Sequence, residues 1–203
     1  MWRNIMKNKT VFVDIDTQFD FMDHRGSLYV PGAEDIVDNI KKLFDYAKEH
    51  KIKILSSVDA HTVDDPEFKL FPSHCIKGTP GNQKIEASTC KDNIFIENVE
   101  QDITESMMNL EQIIVETQTF DIFESINTDG IVNKLDACNY VVFGVATGYC
   151  VKAAVLGLLK RGYSVSLVTD ATKAITKEGE EKALKEMKDA GTVFTTTEDI
   201  IAK

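Results

Sequence analysis

Phe143-Gly144-Val145-Ala146-Thr147-Gly148-Tyr149-Cys150-Val151 follows directly on Tyr140-Val141-Val142. The run 140–145 is apolar throughout, as in a strand buried on both faces of a parallel sheet. A glycine-bracketed turn comes next, then an apolar stretch over 151–160 that reads as a helix stopped by Gly162. Buried strand, tight turn and helix make up the repeating unit of an α/β protein. The spacing also starts the helix at Cys150. The first N–H groups of a helix favour a thiolate at that point and can hold an oxyanion. This is the nucleophile-elbow arrangement with sulfur in place of oxygen. The plain alternative is a structural cysteine opening a core helix, and the rest of the chain decides between the two.

Working outward, the same alternation recurs. Strands are predicted at 10–15, 52–58, 94–96, 113–115, 165–168 and 192–195. Ile36, Ile40, Leu43, Phe44 and Ala47 fall at helical spacing within 33–50, and further helices are predicted over 129–136 and 178–190. Such alternation implies a parallel sheet covered on both faces, with a site beyond the carboxyl ends of its strands. The irregular stretch 59–92 is too long for a plain connection, and loops of that length are usually functional. No repeat, low-complexity tract or linker divides the chain, so residues 1–203 read as a single domain.

Composition narrows the partners. A net charge of −10 and a pI near 4.9 repel phosphate backbones, which argues against nucleic acid. No stretch approaches a membrane span, and Met1-Trp2-Arg3-Asn4-Ile5-Met6-Lys7 has no secretory apolar region, so a cytoplasmic protein with no membrane partner is expected. Cys75, Cys90, Cys138 and Cys150 are widely spaced without a CxxC pair and read as reduced thiols.

Two further motifs sit at predicted strand ends. Asp16-Thr17-Gln18-Phe19-Asp20-Phe21 follows the first strand. Asp16 there suits a general base or a turn cap. Asp20 reads as an orienting residue, and Asp14, inside the strand, as scaffold. Gln18 has two readings, a polar contact to substrate or satisfaction of loop backbone. Asp59-Ala60-His61 follows the second strand, with Glu67 and Phe71-Pro72-Ser73-His74-Cys75 in the loop beyond. A carboxylate and an imidazole one residue apart project to the same side of extended chain. A second imidazole and carboxylate from the same loop would complete a mixed nitrogen and oxygen site suited to one divalent zinc, iron or manganese ion. His24 and His50 read as surface residues.

Together these motifs resemble the isochorismatase-like cysteine hydrolases, and among them the nicotinamidase/pyrazinamidase branch. The resemblance covers most of the chain in order: 16–21, Gly26-Ser27-Leu28, the 59–75 loop, Gly78-Thr79-Pro80-Gly81 and the Cys150 motif. It implies a Rossmann-like three-layer α/β/α sandwich with a mostly parallel sheet of about six strands. It implies Cys150 as nucleophile, Asp16 as catalytic acid/base, and Ala146 and Cys150 N–H groups as the oxyanion hole. Asp59, His61 and His74 would hold the metal, with Glu67 where some members place a fourth ligand. Phe21, Phe71 and Phe120 match positions that sandwich an aromatic ring, although each also suits ordinary packing. The peptide between Val145 and Ala146 should be cis, and relatives are often homo-oligomers. The reaction implied is hydrolysis of nicotinamide, or a similar small aromatic amide, through an acyl-thioester, feeding NAD salvage.

One position departs from the family pattern. Thr117 stands where the family carries its catalytic lysine, in Thr117-Gln118-Thr119-Phe120-Asp121-Ile122-Phe123. Gly148 also stands where relatives commonly carry an aspartate. A cation beside Cys150 and Asp16 stabilises the thiolate, and its loss raises a thiol pKa by roughly one to three units. Lys69, Lys77, Lys152 and Lys173 are candidate substitutes, each also readable as a surface residue. Two alternatives to an active nicotinamidase follow: a weak or inactive member that binds metal and a small ligand, or a hydrolase of another amide or ester.

Overall fold

The computed structural model describes residues 9–202, and the 1–7 segment read above for a leader lies outside them. Seven strands form one sheet: β1 Thr10–Ile15, β2 Lys53–Asp59, β3 Asn93–Ile96, β4 Gln112–Thr117, β5 Asn139–Val145, β6 Ser164–Lys173 and β7 Val193–Thr195. Their spatial order is β3-β4-β2-β1-β5-β6-β7. Every described pairing is parallel. The sheet thus has one strand more than the six expected, because the short runs at both edges, β3 and β7, each pair along a full side.

Four longer helices cover the sheet: α1 Val37–Glu49, α2 Thr128–Leu135, α3 Lys152–Lys160 and α4 Lys177–Asp189. Strand alternation divides the core in two. Val11, Val13 and Ile15 face one side, with Ile131, Val155, Leu158 and Met187 from α2, α3 and α4. Phe12 and Phe143 face the other, with Ile40, Leu43 and Phe44 from α1. α1 presents these residues at three- and four-residue spacing, the stripe that buries one helix face. Full burial of each such side chain contributes about 1.5–3 kcal/mol.

Strand order runs outward from β1 in both directions, to β2 on one side and to β5 on the other. This is a topological switch point, where the crevice at the carboxyl ends opens. The β1–β5 pairing runs to its end, where Ile15 pairs with Gly144. Gly144 has φ +115°, and a Cβ there would lie 2.1 Å from the Ile15 carbonyl oxygen. Only glycine lets the two strands stay paired up to the turn that carries Cys150. Gly144→Ala should therefore cost at least about 2 kcal/mol and lower the Tm by about 4–8 °C in a thermal melt. Gly162→Ala should cost less, since a Cβ at Gly162 meets nothing within 4 Å.

Candidate active site

Three strand ends, those of β1, β2 and β5, converge at the crevice. β1 leads into Asp16, which has φ +49°. That left-handed turn points the carboxylate back across β2. Ser57 Oγ donates to Asp16 Oδ1 at 2.6 Å, and the Asp16 N–H donates to Ser57 Oγ at 3.2 Å. Ser57 was not singled out in the sequence, although two serines inside the apolar strand Ile54-Leu55-Ser56-Ser57-Val58 signal buried polar work.

β5 ends in a cis peptide between Val145 and Ala146, as the resemblance implies. The turn that follows differs from the expected helix start. Thr147–Val151 is a single π-helical turn, and α3 begins only at Lys152. Such turns recur at functional sites. The turn leaves Cys150 half-buried, hydrogen-bonded through its side chain to Asp16, with the Ala146 N–H directed at the sulfur.

Burial, then the neighbouring charge of Asp59, pushes the Asp16 carboxyl up to about 7 against the opposing hydrogen bonds from Ser57 and Cys150. Burial and Asp16 together raise the Cys150 thiol well above its usual range. The pair therefore keeps a proton between sulfur and carboxylate, and a carboxyl near 7 exchanges it readily at neutral pH.

Asp59, His61 and His74 lie on the other wall. One ligand atom from each falls within 4.8 Å of the others, and all three residues are buried. His74 Nδ1 is 2.7 Å from the Pro72 carbonyl, which turns Nε2 towards Asp59 Oδ2 at 3.0 Å. His61 Nε2 and Nδ1 stand 2.9 and 3.0 Å from Asp59 Oδ1 and Asp65 Oδ2. Neither contact has hydrogen-bond geometry, and Asp59 Oδ1 and both His61 nitrogens are buried without a hydrogen-bond partner. Burial opposes charge on His61, but Asp59 and Asp65 outweigh it and hold the ring up to about 9. One carboxylate and two imidazoles, buried and poorly satisfied among themselves, fit a divalent ion of the zinc type. Glu67 lines the adjoining pocket outside this trio, and burial followed by the Asp59 charge raises its pKa.

The pocket between the two walls is lined by Phe21, Phe71 and Phe120, with Leu28, Val30, Tyr149, Ile175, Asp59, Glu67, His74 and Cys150. All three phenylalanines expected at an aromatic slot therefore reach it. Gln18 does not. It is fully buried, Nε2 donates to the Asp59 and Asn82 carbonyls, and Oε1 accepts from the Asp59 N–H. Of its two readings, Gln18 thus takes the backbone role, tying the Asp16 turn to the metal loop. Asp20 is similarly occupied, accepting from the Ser27 and Cys75 N–H groups.

Thr117 is buried at the end of β4 opposite Asp59 and is not among the residues lining the pocket. The candidate lysines lie elsewhere: Lys77 pairs with Glu116, Lys152 with Glu186 and Lys173 with Asp35, while Lys69 is exposed. Lys84, not among those candidates, carries a buried side chain. Its side chain is 1% exposed and its Nζ is 2.6 Å from Asp14 Oδ2. The signal was Asp14 itself, since a carboxylate inside a buried strand demands a partner.

Comparison with known proteins agrees with this architecture. The isochorismatase domain profile matches residues 10–199. An Arabidopsis thaliana protein described as a "probable inactive nicotinamidase" is 28% identical, over 94% of this chain and 91% of its own length. The Escherichia coli nicotinamidase is 25% identical, over 91% and 93%. Among solved structures, the Pyrococcus horikoshii pyrazinamidase in complex with zinc superposes with a TM-score of 0.77 at 28% identity, covering 93% of this chain and 99% of that one. The chain belongs to the isochorismatase family, on its nicotinamidase/pyrazinamidase side.

Proposed function

We propose that this protein is a metal-assisted cysteine amidohydrolase of small aromatic carboxamides, with nicotinamide as substrate. The observation that carries the reading is the Cys150–Asp16 hydrogen-bonded pair opening onto an aromatic pocket whose far wall holds Asp59 and His74. Asp16 accepts the Cys150 proton as the sulfur attacks the amide carbon. The developing oxyanion lies against the N–H groups of Ala146 and Cys150. Asp16 then passes its proton to the departing nitrogen, ammonia leaves, and an acyl-thioester remains on Cys150. Water, deprotonated by Asp16, cleaves the thioester to the carboxylic acid and restores the thiol. Asp59, His61 and His74 would hold the divalent ion, which when bound supplies a coordination position for the substrate's ring nitrogen. Phe21, Phe71 and Phe120 orient the ring.

A second reading rests on Thr117 and on the similarity to the Arabidopsis protein. It makes this chain a member that binds metal and a small ligand without turnover. Ammonia release from nicotinamide by zinc-loaded protein separates the two. Release that disappears in Cys150→Ala supports the amidohydrolase, and its absence supports the second reading.

Asp16 sets the pH dependence. It works as a base only when ionised, so kcat/KM should fall on acidification through about 7. Asp16→Asn should lose about 100-fold to 10,000-fold in kcat, the range of general acid–base catalysis. At the other wall, His74→Ala should weaken zinc binding at least about tenfold in a competition titration with a chromophoric chelator. His50→Ala, on the surface, should leave zinc binding unchanged.

A further inference from the structure

Lys84 lies in the long loop between β2 and β3, yet its ammonium is sealed in the interior behind the Asp16 turn. Nζ donates to Thr17 Oγ1 at 2.8 Å and pairs with Asp14 Oδ2 at 2.6 Å. Asp14 also accepts from Ser56 Oγ and Thr17 Oγ1, each at 2.8 Å. Gln112 closes the network by donating to Ser56 Oγ and to the Ser88 carbonyl. An isolated backbone bridge joins Lys84 to Gln18, so the lysine's loop is tied to the segment that follows Asp16.

A buried ion pair is costly, and an apolar pair of the same volume would often stabilise the fold as well. Stability alone is therefore a weak reason for this one. Its location is more telling, because the partner groups Asp14 and Thr17 flank Asp16 at two residues and one residue along the chain.

We propose that Lys84 is a positioning residue for the Cys150–Asp16 pair. Clamped by Asp14 and Thr17, its ammonium fixes the Asp16 turn and gives the site the fixed cation that Thr117 does not provide. This rests on the amidohydrolase reading of Cys150 and Asp16. The charge of Lys84 works on the Asp16 carboxyl in the direction of ionisation, opposing burial and Asp59 and acting alongside the hydrogen bonds from Ser57 and Cys150. A base that stays ionised is what Cys150 needs to give up its proton.

The test reads sulfur reactivity without any amide substrate, so it stands apart from the nicotinamide assay. Iodoacetamide alkylation of Cys150 is followed by mass spectrometry at fixed pH, with Cys150→Ala as blank, in the parent, Lys84→Arg, and the neutral pair Asp14→Asn/Lys84→Met. The neutral pair removes both charges together and leaves no unpaired buried ion. It should melt near the parent temperature while alkylating at least about tenfold more slowly. Where an amide is turned over, its kcat should fall with KM nearly unchanged. Lys84→Arg keeps the cation and should retain reactivity within about threefold. A folded neutral pair that alkylates at the parental rate would overturn the proposal, leaving Lys84 a mere counter-ion of Asp14. If the neutral pair does not fold, Lys84→Arg decides: retained reactivity supports the proposal, and a folded, unreactive Lys84→Arg overturns it.

Discussion

Three carboxylates, Asp14, Asp16 and Asp59, are buried within a few residues of one crevice, and the site is organised by the ways their charge is compensated. An isolated buried carboxylate is too costly to persist. Asp14 meets the cost with a lysine and two hydroxyl groups, Asp59 with two imidazoles, and Asp16 by holding its proton up to about 7. The first arrangement is fixed, the second suits exchange for a metal, and the third exchanges a proton at neutral pH. Each therefore gives its wall of the crevice a different chemical capacity.

These capacities depend on the sheet bringing three strand ends together. β1 lies between β2 and β5, so Asp16, Asp59 and the Cys150 turn leave the same edge without long excursions. The 59–92 loop then folds back over them. Gln18 ties its backbone to the Asp16 turn, His61 pairs its backbone with Ile76, and Lys84 enters from above. A loop bound at so many points acts as the second half of the site, which explains its length and its scarcity of regular structure.

Much of this was legible in the sequence because the chemistry lies in short contiguous motifs at predicted strand ends. Asp59, His61 and His74 sit within 16 residues, and the apolar run before Cys150 marks a buried strand by composition alone. What escaped was contact between distant segments. Lys84 meets Asp14 across 70 residues, and neither residue's immediate surroundings name the other. Gln18 admitted two readings until the backbone groups of Asp59 and Asn82 came into place. The π-turn at Cys150 was invisible for another reason, since one extra residue in a helical turn leaves no change of periodicity over so short a span.

Thr117 is best understood through the same charge balance. The sum over Asp14, Asp16 and Asp59 leaves more negative than positive fixed charge around Cys150 unless cations enter. Two can: Lys84, already inside, and a divalent ion on Asp59, His61 and His74. A site with both has positive charge beside Asp14 and beside Asp59, and a lysine at the end of β4 is then no longer the sole source of it. Loss of that lysine thus removes one contributor to thiolate stability without emptying the site of positive charge. Similarity to a relative described as inactive leaves this balance untouched, because the charge of Lys84 acts on Asp16, the partner of the sulfur, from a segment far in sequence from Thr117.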